Sequence, residues 1–502
     1  MFGATSFFFL ALLAPIHNAD DPKVGELPSA ANTTHLQGPG RTTRFEVGLR
    51  LREFEVEWAK ITDTERRRAC LDDVDRATVS FLGGQLGSVA ASLDAARLAL
   101  VGTREQLHWY DAMALRPTSR LLSPGERLGW VGTRTYDLEA LGAPQAARAI
   151  PSNAHVDFWV GERRIASFPL PKQDPWVIGL GDAQLQGLGP DLELEIRIRV
   201  GGEVVRSWRD RVSRVENVGP RLEACRAAAE KHQGQLGRAG TRARTALGLV
   251  QRVTQLSNNL VPEVPFAAAS ALKRAERLVA SLGEEEAADA PFELTGDDWF
   301  VLRCPDGSDR VRLATPPGIA EGERRPLVLA VHGAGGSENI FFEAYGAGRI
   351  VQLARERGWF VVAPRRAYFG NIDLVGMVGA LGEQFPIDTR QVFLYGHSMG
   401  AMHSVSAACR SPKTFDAVML VGGGGAVRAS PELGTLPFRV LAGDRDFGRR
   451  GAANLFRSLQ RAGAPVEWQL IEDTEHMLAV VESLPIAFEF YDEIARSREQ
   501  KR

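Results

Sequence analysis

The chain has 502 residues, 60 Lys plus Arg against 62 Asp plus Glu, and 44% hydrophobic residues. About two or three domains are expected at that length, and the near balance of charge excludes the one-signed field that holds a nucleic acid or an acidic membrane surface. The four cysteines, Cys70, Cys225, Cys304 and Cys409, show neither CxxC pairing nor metal-type spacing, which argues against a zinc site and a disulfide-dense scaffold and leaves buried thiols or a single disulfide open.

Phe7 to Ile16 (FFFLALLAPI) is apolar, too short to span a bilayer, and followed by small and polar residues. It reads as the core of an export signal over residues 1–19, although no Lys or Arg precedes it. An exported protein without a membrane span is therefore expected. A polar linker follows over 20–40.

Residues 41–115 read as helical: Phe54, Trp58 and Ile61 recur at helical spacing, and Asp63 with Thr64 can cap a second helix. Over 125–216 the period changes to two. Leu192, Leu194, Ile196, Ile198 and Val200 alternate with charged residues, and Gly201-Gly202 then offers a two-residue hairpin turn; Val156, Phe158 and Val160 before Gly161 repeat the pattern. A small antiparallel β-sandwich is predicted there. Residues 217–283 are helical again, and 284–298 form a solvated linker. The flanking helices are expected to pair, making the β-rich module an insertion in a helical region. Nothing in 41–283 has the spacing of a metal site, phosphate loop or catalytic cluster, so this half reads as a folding module or one that docks a protein partner.

From Trp299 to the end, short apolar runs alternate with helix-length segments, which predicts an α/β fold with a mostly parallel sheet of about eight strands. The runs are Trp299–Arg303, Arg310–Ala314, Leu327–Val331, Trp359–Ala363, Val392–Tyr395, Ala417–Val421, Arg439–Ala442 and Glu467–Ile471. The fifth runs into Gly396-His397-Ser398-Met399-Gly400 and then a helix-forming segment. A serine on such a crowded strand-to-helix turn needs glycines two positions away on each side, so Ser398 is the candidate nucleophile.

Three further features fall in the required places. His332-Gly333-Ala334-Gly335-Gly336 ends an earlier strand, and the N–H groups of Ala334 and Met399 are candidates to receive an oxyanion. Gly443-Asp444-Arg445-Asp446 ends a later strand; Asp446, three beyond the glycine, is preferred as the acid, with Asp444 left as a loop residue. His476 lies past the last strand, giving the chain order Ser, acid, His with His476 as general base. His397 and His403 are read as structural or solvated, and His332 as shaping the oxyanion loop.

With these residues in view, Leu327 to Met477 resembles the α/β-hydrolase superfamily, in particular dienelactone hydrolase, polyhydroxybutyrate depolymerase-like esterases and predicted peptidases. The phrase Ile387 to Gly400 is similar to the strand and elbow of those enzymes. The resemblance covers about a third of the chain and implies a serine hydrolase with no cofactor, acting on a small-molecule or polymeric ester through an acyl-enzyme. A peptidase on the same triad is the nearest alternative, and Ala401, where many relatives carry a further glycine, speaks against it. A catalytically silent binding module is the other alternative; a full triad in this order argues against that.

About seventeen residues separate Val421 from Arg439, too few for the helical lid that many lipases insert. Gly422–Gly425 in this connection lacks a nucleotide-loop spacing and reads as a loop beside the site. Arg365, Arg366 and Tyr368 follow the strand ending at Ala363 and are candidates to contact an acyl group.

Overall fold

The computed structural model describes residues 42–103, 107–172, 175–305, 307–365 and 372–500. The apolar run Phe7–Ile16, Arg366 and Tyr368 lie outside them. Strands in the first half are β1 (Met113–Pro117), β2 (Leu121–Leu122), β3 (Leu128–Arg134), β4 (Ala154–Val160), β5 (Arg163–Pro169), β6 (Trp176–Leu180), β7 (Asp191–Val200) and β8 (Glu203–Arg214). The second half carries β9 (Asp297–Cys304), β10 (Gly307–Ala314), β11 (Arg325–Val331), β12 (Phe360–Pro364), β13 (Ile387–His397), β14 (Ala417–Val421), β15 (Phe438–Gly443) and β16 (Val466–Ile471).

The chain divides into two compact units. One takes the residues up to Thr118, Leu128–Gln184 and Leu194–Arg209; the other takes Ser119–Arg127, Leu185–Glu193 and Asp210–Arg502. The helices on the two sides of the β-rich segment thus fall in different units.

The first unit opens with helices Arg44–Lys60, Thr64–Leu82 and Leu86–Leu100. Thr43 and Glu46 satisfy each other's backbone amides in a capping box, and Asp63 accepts from the N–H groups of Glu65 and Arg66. Its strands form an antiparallel sheet β1-β3-β6, and a second in which β4 pairs with β5 on one side and β7 on the other. Gly201 and Gly202 both take positive φ, as a tight hairpin between β7 and β8 requires. Trp130 of one sheet meets Phe158 of the other at 5.4 Å between ring centroids.

Charged groups are buried in this unit as a closed network. Asp94 accepts from Arg50 Nε at 2.8 Å, Arg206 Nη2 at 3.2 Å and the Tyr136 hydroxyl at 2.9 Å, while Arg97 donates to Asp111 at 2.8 Å. Burial would raise the Asp94 carboxyl, but Arg206 and Arg50 outweigh it and hold the group below the usual range.

In the second unit all eight predicted strands appear in one sheet, ordered β16-β15-β14-β13-β11-β12-β10-β9. β10 is antiparallel to both neighbours; the strands from β12 through β16 run parallel. This is the strand order of an α/β-hydrolase sheet. Both faces are covered, which is why these strands read as unbroken apolar runs. Leu327, Leu329 and Val331 face one core with helices Gly237–Ser257, Leu374–Gln384, Met399–Arg410 and Arg449–Arg461; Val328 and Ala330 face the other with helices Tyr345–Glu356 and Leu478–Glu499.

The helices before the sheet belong to it. Thr245 of helix Gly237–Ser257 accepts the Val301 N–H of edge strand β9 at 3.1 Å, and Arg274 of helix Ala268–Ala280 pairs with Asp298 at 2.7 Å. They cover an edge that would otherwise present unpaired backbone groups. All four cysteines are buried free thiols. Among the described residues no helix is long and apolar enough to cross a membrane.

Candidate active site

Ser398 stands between β13 and helix Met399–Arg410 with φ 55° and ψ −118°, a conformation that L-residues adopt only under constraint. The constraint is visible in the neighbours. A Cβ on Gly396 would collide with Ser404 Oγ and the Gly400 carbonyl, and one on Gly400 with the carbonyls of Val331 and His332. The two glycines therefore let the elbow seat on the loop that leaves β11. The Ser398 N–H is held by the Val421 carbonyl at 2.8 Å, which anchors the turn to β14.

Past β11, Gly333 lies so close to the elbow that a Cβ there would be 3.0 Å from Ser398 Cβ. The next N–H belongs to Ala334, which is half-buried, as are Ser398 and Met399. Neither the Ala334 nor the Met399 N–H is engaged by a backbone carbonyl in the described turns and loops. His332 is buried, with Nδ1 2.8 Å from the Gly333 carbonyl, so it braces this turn.

Asp446 and His476 come together from the loops after β15 and β16. His476 Nδ1 is 2.6 Å from Asp446 Oδ1, and the same oxygen accepts the Gly448 N–H at 2.6 Å. Both side chains are buried. With Nδ1–H directed at the carboxylate, the lone pair of the neutral ring lies on Nε2, the arrangement a general base needs. The two loops are laced together: Arg445 N–H reaches the Thr474 carbonyl at 3.1 Å, and Thr474 N–H reaches Asp444 Oδ1 at 3.1 Å. Asp444 is thus a loop-bracing residue.

The Gly422–Gly425 loop packs beneath these groups. Gly422 has φ 60°, and a Cβ there would lie 3.2 Å from His476 Nδ1; one on Gly423 would meet the Ser398 carbonyl. The expected loop beside the site is therefore its floor, tied by sterics to both serine and histidine. Between β14 and β15 the only helical element is the short turn Pro431–Thr435, so no lid domain is present there. At the rim Phe447 is 46% exposed, with its ring centroid 4.0 Å from that of His476.

Arg365 is placed in an ion-pair network. Its Nη1 is 3.3 Å from Glu338 Oε2 and 3.9 Å from Glu263, and Arg252 also pairs with Glu338. Glu338 is fully buried, four residues beyond Ala334. Burial would raise its carboxyl, but Arg365 and Arg252 outweigh that and bring it down to about 2. The helix Gly237–Ser257 is pinned in this way to the turn that follows β11.

Sequence reasoning missed Glu338 and Glu475. The latter is buried and accepts the N–H groups of Met477 and Leu478, both at 2.7 Å, fixing the turn that carries His476. A capping pattern ahead of helix Leu478–Glu499 is the signal that could have found it. Among the described residues no three His, Cys, Asp or Glu side chains gather as a metal site.

No family model matches the chain, and no curated protein does. Among solved structures it is similar to a fluorophosphonate-binding serine hydrolase of Staphylococcus aureus, at 12% identity over 40% of this chain and 99% of the other, with a TM-score of 0.34. It is also similar to an S-formylglutathione hydrolase from Agrobacterium tumefaciens, at 16% identity over 41% and 98% of the two chains and a TM-score of 0.33. A thermostable esterase matches at 15% identity over 68% and 90%, with a TM-score of 0.36.

Proposed function

We propose that the protein is a serine hydrolase that cleaves carboxylic esters through an acyl-enzyme. The observation that carries this is the 2.6 Å contact between His476 Nδ1 and Asp446, on loops beside a serine held at φ 55° on a strand-to-helix turn. In this reading Ser398 Oγ attacks the ester carbonyl as His476 Nε2 takes its proton, and Asp446 holds the imidazole in the required tautomer. The N–H groups of Ala334 and Met399 stabilise the oxyanion. His476 then protonates the departing alcohol, and water enters by the same steps in reverse to release the acid.

The short connection after β14 supports a substrate as bulky as an aryl or polymeric ester, and Phe447 supplies an apolar rim. Fluorophosphonate labelling tests the nucleophile, with Ser398→Ala as the blank: folded wild-type protein that stays unlabelled would overturn the reading. Short-chain aryl esters set against peptide amides test the substrate class, and faster amide turnover would turn the ranking to a peptidase. The Phe7–Ile16 segment supports export, which N-terminal sequencing of protein recovered outside the cytoplasm would test.

A further inference from the structure

His397 precedes the nucleophile and is buried. Its Nε2 lies 3.1 Å from the backbone carbonyl of His476, and its Nδ1 lies 2.8 Å from the hydroxyl of Tyr345. A carbonyl only accepts, so Nε2 must carry the hydrogen. Burial, and then the neighbouring His476, keep the imidazole well below its usual range and therefore neutral. The second nitrogen is left without a hydrogen and must accept from Tyr345 O–H. One tautomer satisfies both bonds: the His476 carbonyl fixes it, and the Tyr345 hydroxyl supplies the donor that the bare Nδ1 needs.

Tyr345 is held in place at a cost. Helix Tyr345–Glu356 opens with four residues of positive φ: Tyr345 at 51°, Gly346 at 78°, Ala347 at 54° and Gly348 at 82°. For the two non-glycine residues this is a strained conformation. The left-handed turn persists beneath a packed cluster in which the Tyr345 ring meets Phe341 at 5.0 Å and His397 at 5.3 Å. Gly348 is obligatory there, since a Cβ would strike the Phe342 carbonyl. The His397 and His476 rings also pack directly, at 4.6 Å between centroids.

We propose that His397 is a positioning residue for the reaction: through its two hydrogen bonds it ties the backbone of His476 to Tyr345, and the strained turn Tyr345–Gly348 fixes the far end of that tie. The inference rests on the reading of Ser398 and His476 as nucleophile and base. Asp446 orients the imidazole of His476 from one side, and His397 holds its main chain from beneath. Without Tyr345 the Nδ1 lone pair of His397 is left buried without its donor, the ring loses one of its two anchors, and the base shifts.

The test uses the full chain with a short-chain aryl ester and a fluorophosphonate probe, comparing Tyr345→Phe, His397→Leu, His397→Gln and the double variant Tyr345→Phe/His397→Leu. One lost hydrogen bond corresponds to about tenfold in rate. Tyr345→Phe is therefore expected to lower kcat and the labelling rate about tenfold with KM within twofold, and His397→Leu about a hundredfold. The double variant should be no slower than His397→Leu, because Tyr345 acts only through His397. His397→Gln, which keeps an N–H donor for the His476 carbonyl, should recover part of the loss.

If His397→Leu does not fold, Tyr345→Phe and His397→Gln still decide the matter. Folded Tyr345→Phe with unchanged kcat, additive losses in the double variant, or a loss confined to KM would each overturn the tie while leaving the nucleophile in place. A wild-type protein that the probe does not label removes the nucleophile reading and this inference with it.

Discussion

The carbonyl oxygen of Thr474 occupies the space that a Cβ on Gly443 would need. The end of β15 and the loop carrying His476 approach that closely because position 443 has no side chain, and the contact brings Asp446 within reach of the imidazole. Gly443→Ala should therefore spread the two loops. The expected result is a stability loss of about 1–3 kcal/mol together with a fall in kcat much larger than that of a neutral surface substitution. Denaturant titration and ester turnover on the same preparation check this; unchanged turnover would count against the proposed acid and base.

The two aspartates of the same loop should separate cleanly. Asp446→Asn keeps the shape and loses the charge that fixes the His476 tautomer, so kcat is expected to fall by roughly 10³–10⁴-fold with KM little changed. Asp444→Asn retains an oxygen for the Thr474 N–H and should stay within about tenfold of wild type. Steady-state kinetics on both decide it, and the reverse ranking would move the acid to Asp444.

Glu338 gives a pH signature. Its carboxyl lies at about 2 in the folded protein against an ordinary 4.5, so its contribution is full above the unfolded value and is lost as the pH falls through that window. The magnitude is on the order of 3 kcal/mol. Wild type should exceed Glu338→Gln in stability by about that amount at neutral pH, with the gap closing between about pH 4.5 and 2. A gap that does not change with pH would show that Arg252 and Arg365 do not act on the charge.

In the first unit, Arg206 is buried and bonded to Glu53 and Asp94. Arg206→Met leaves those carboxylates with fewer partners, and a loss of about 3–5 kcal/mol is expected. Replacing Arg206 and Asp94 together by Met and Leu should cost less than the sum of the single changes. Thermal melts of the three variants measure the coupling, and strict additivity would mean the groups are not a network.

Much of the second unit could be read along the chain. Its strands are buried on both faces and so appear as plain apolar runs, and the glycines around Ser398 are demanded by backbone crowding within five residues. The order Ser398, Asp446, His476 needed only the ends of those runs. Less was legible where the period was helical: residues 217–283 show their amphipathic character, but not that their apolar face lies on β9.

What the sequence determined by itself was therefore local, because strand burial, turn sterics and capping act over a few residues. Only the tertiary structure decided that Arg365 faces Glu338, that Gly422–Gly425 forms a floor, and that Tyr345 reaches His397 across 52 positions. Such contacts depend on which loops the sheet order brings side by side. A hydrogen bond or a steric limit between distant residues leaves no period, composition or spacing from which it could be read.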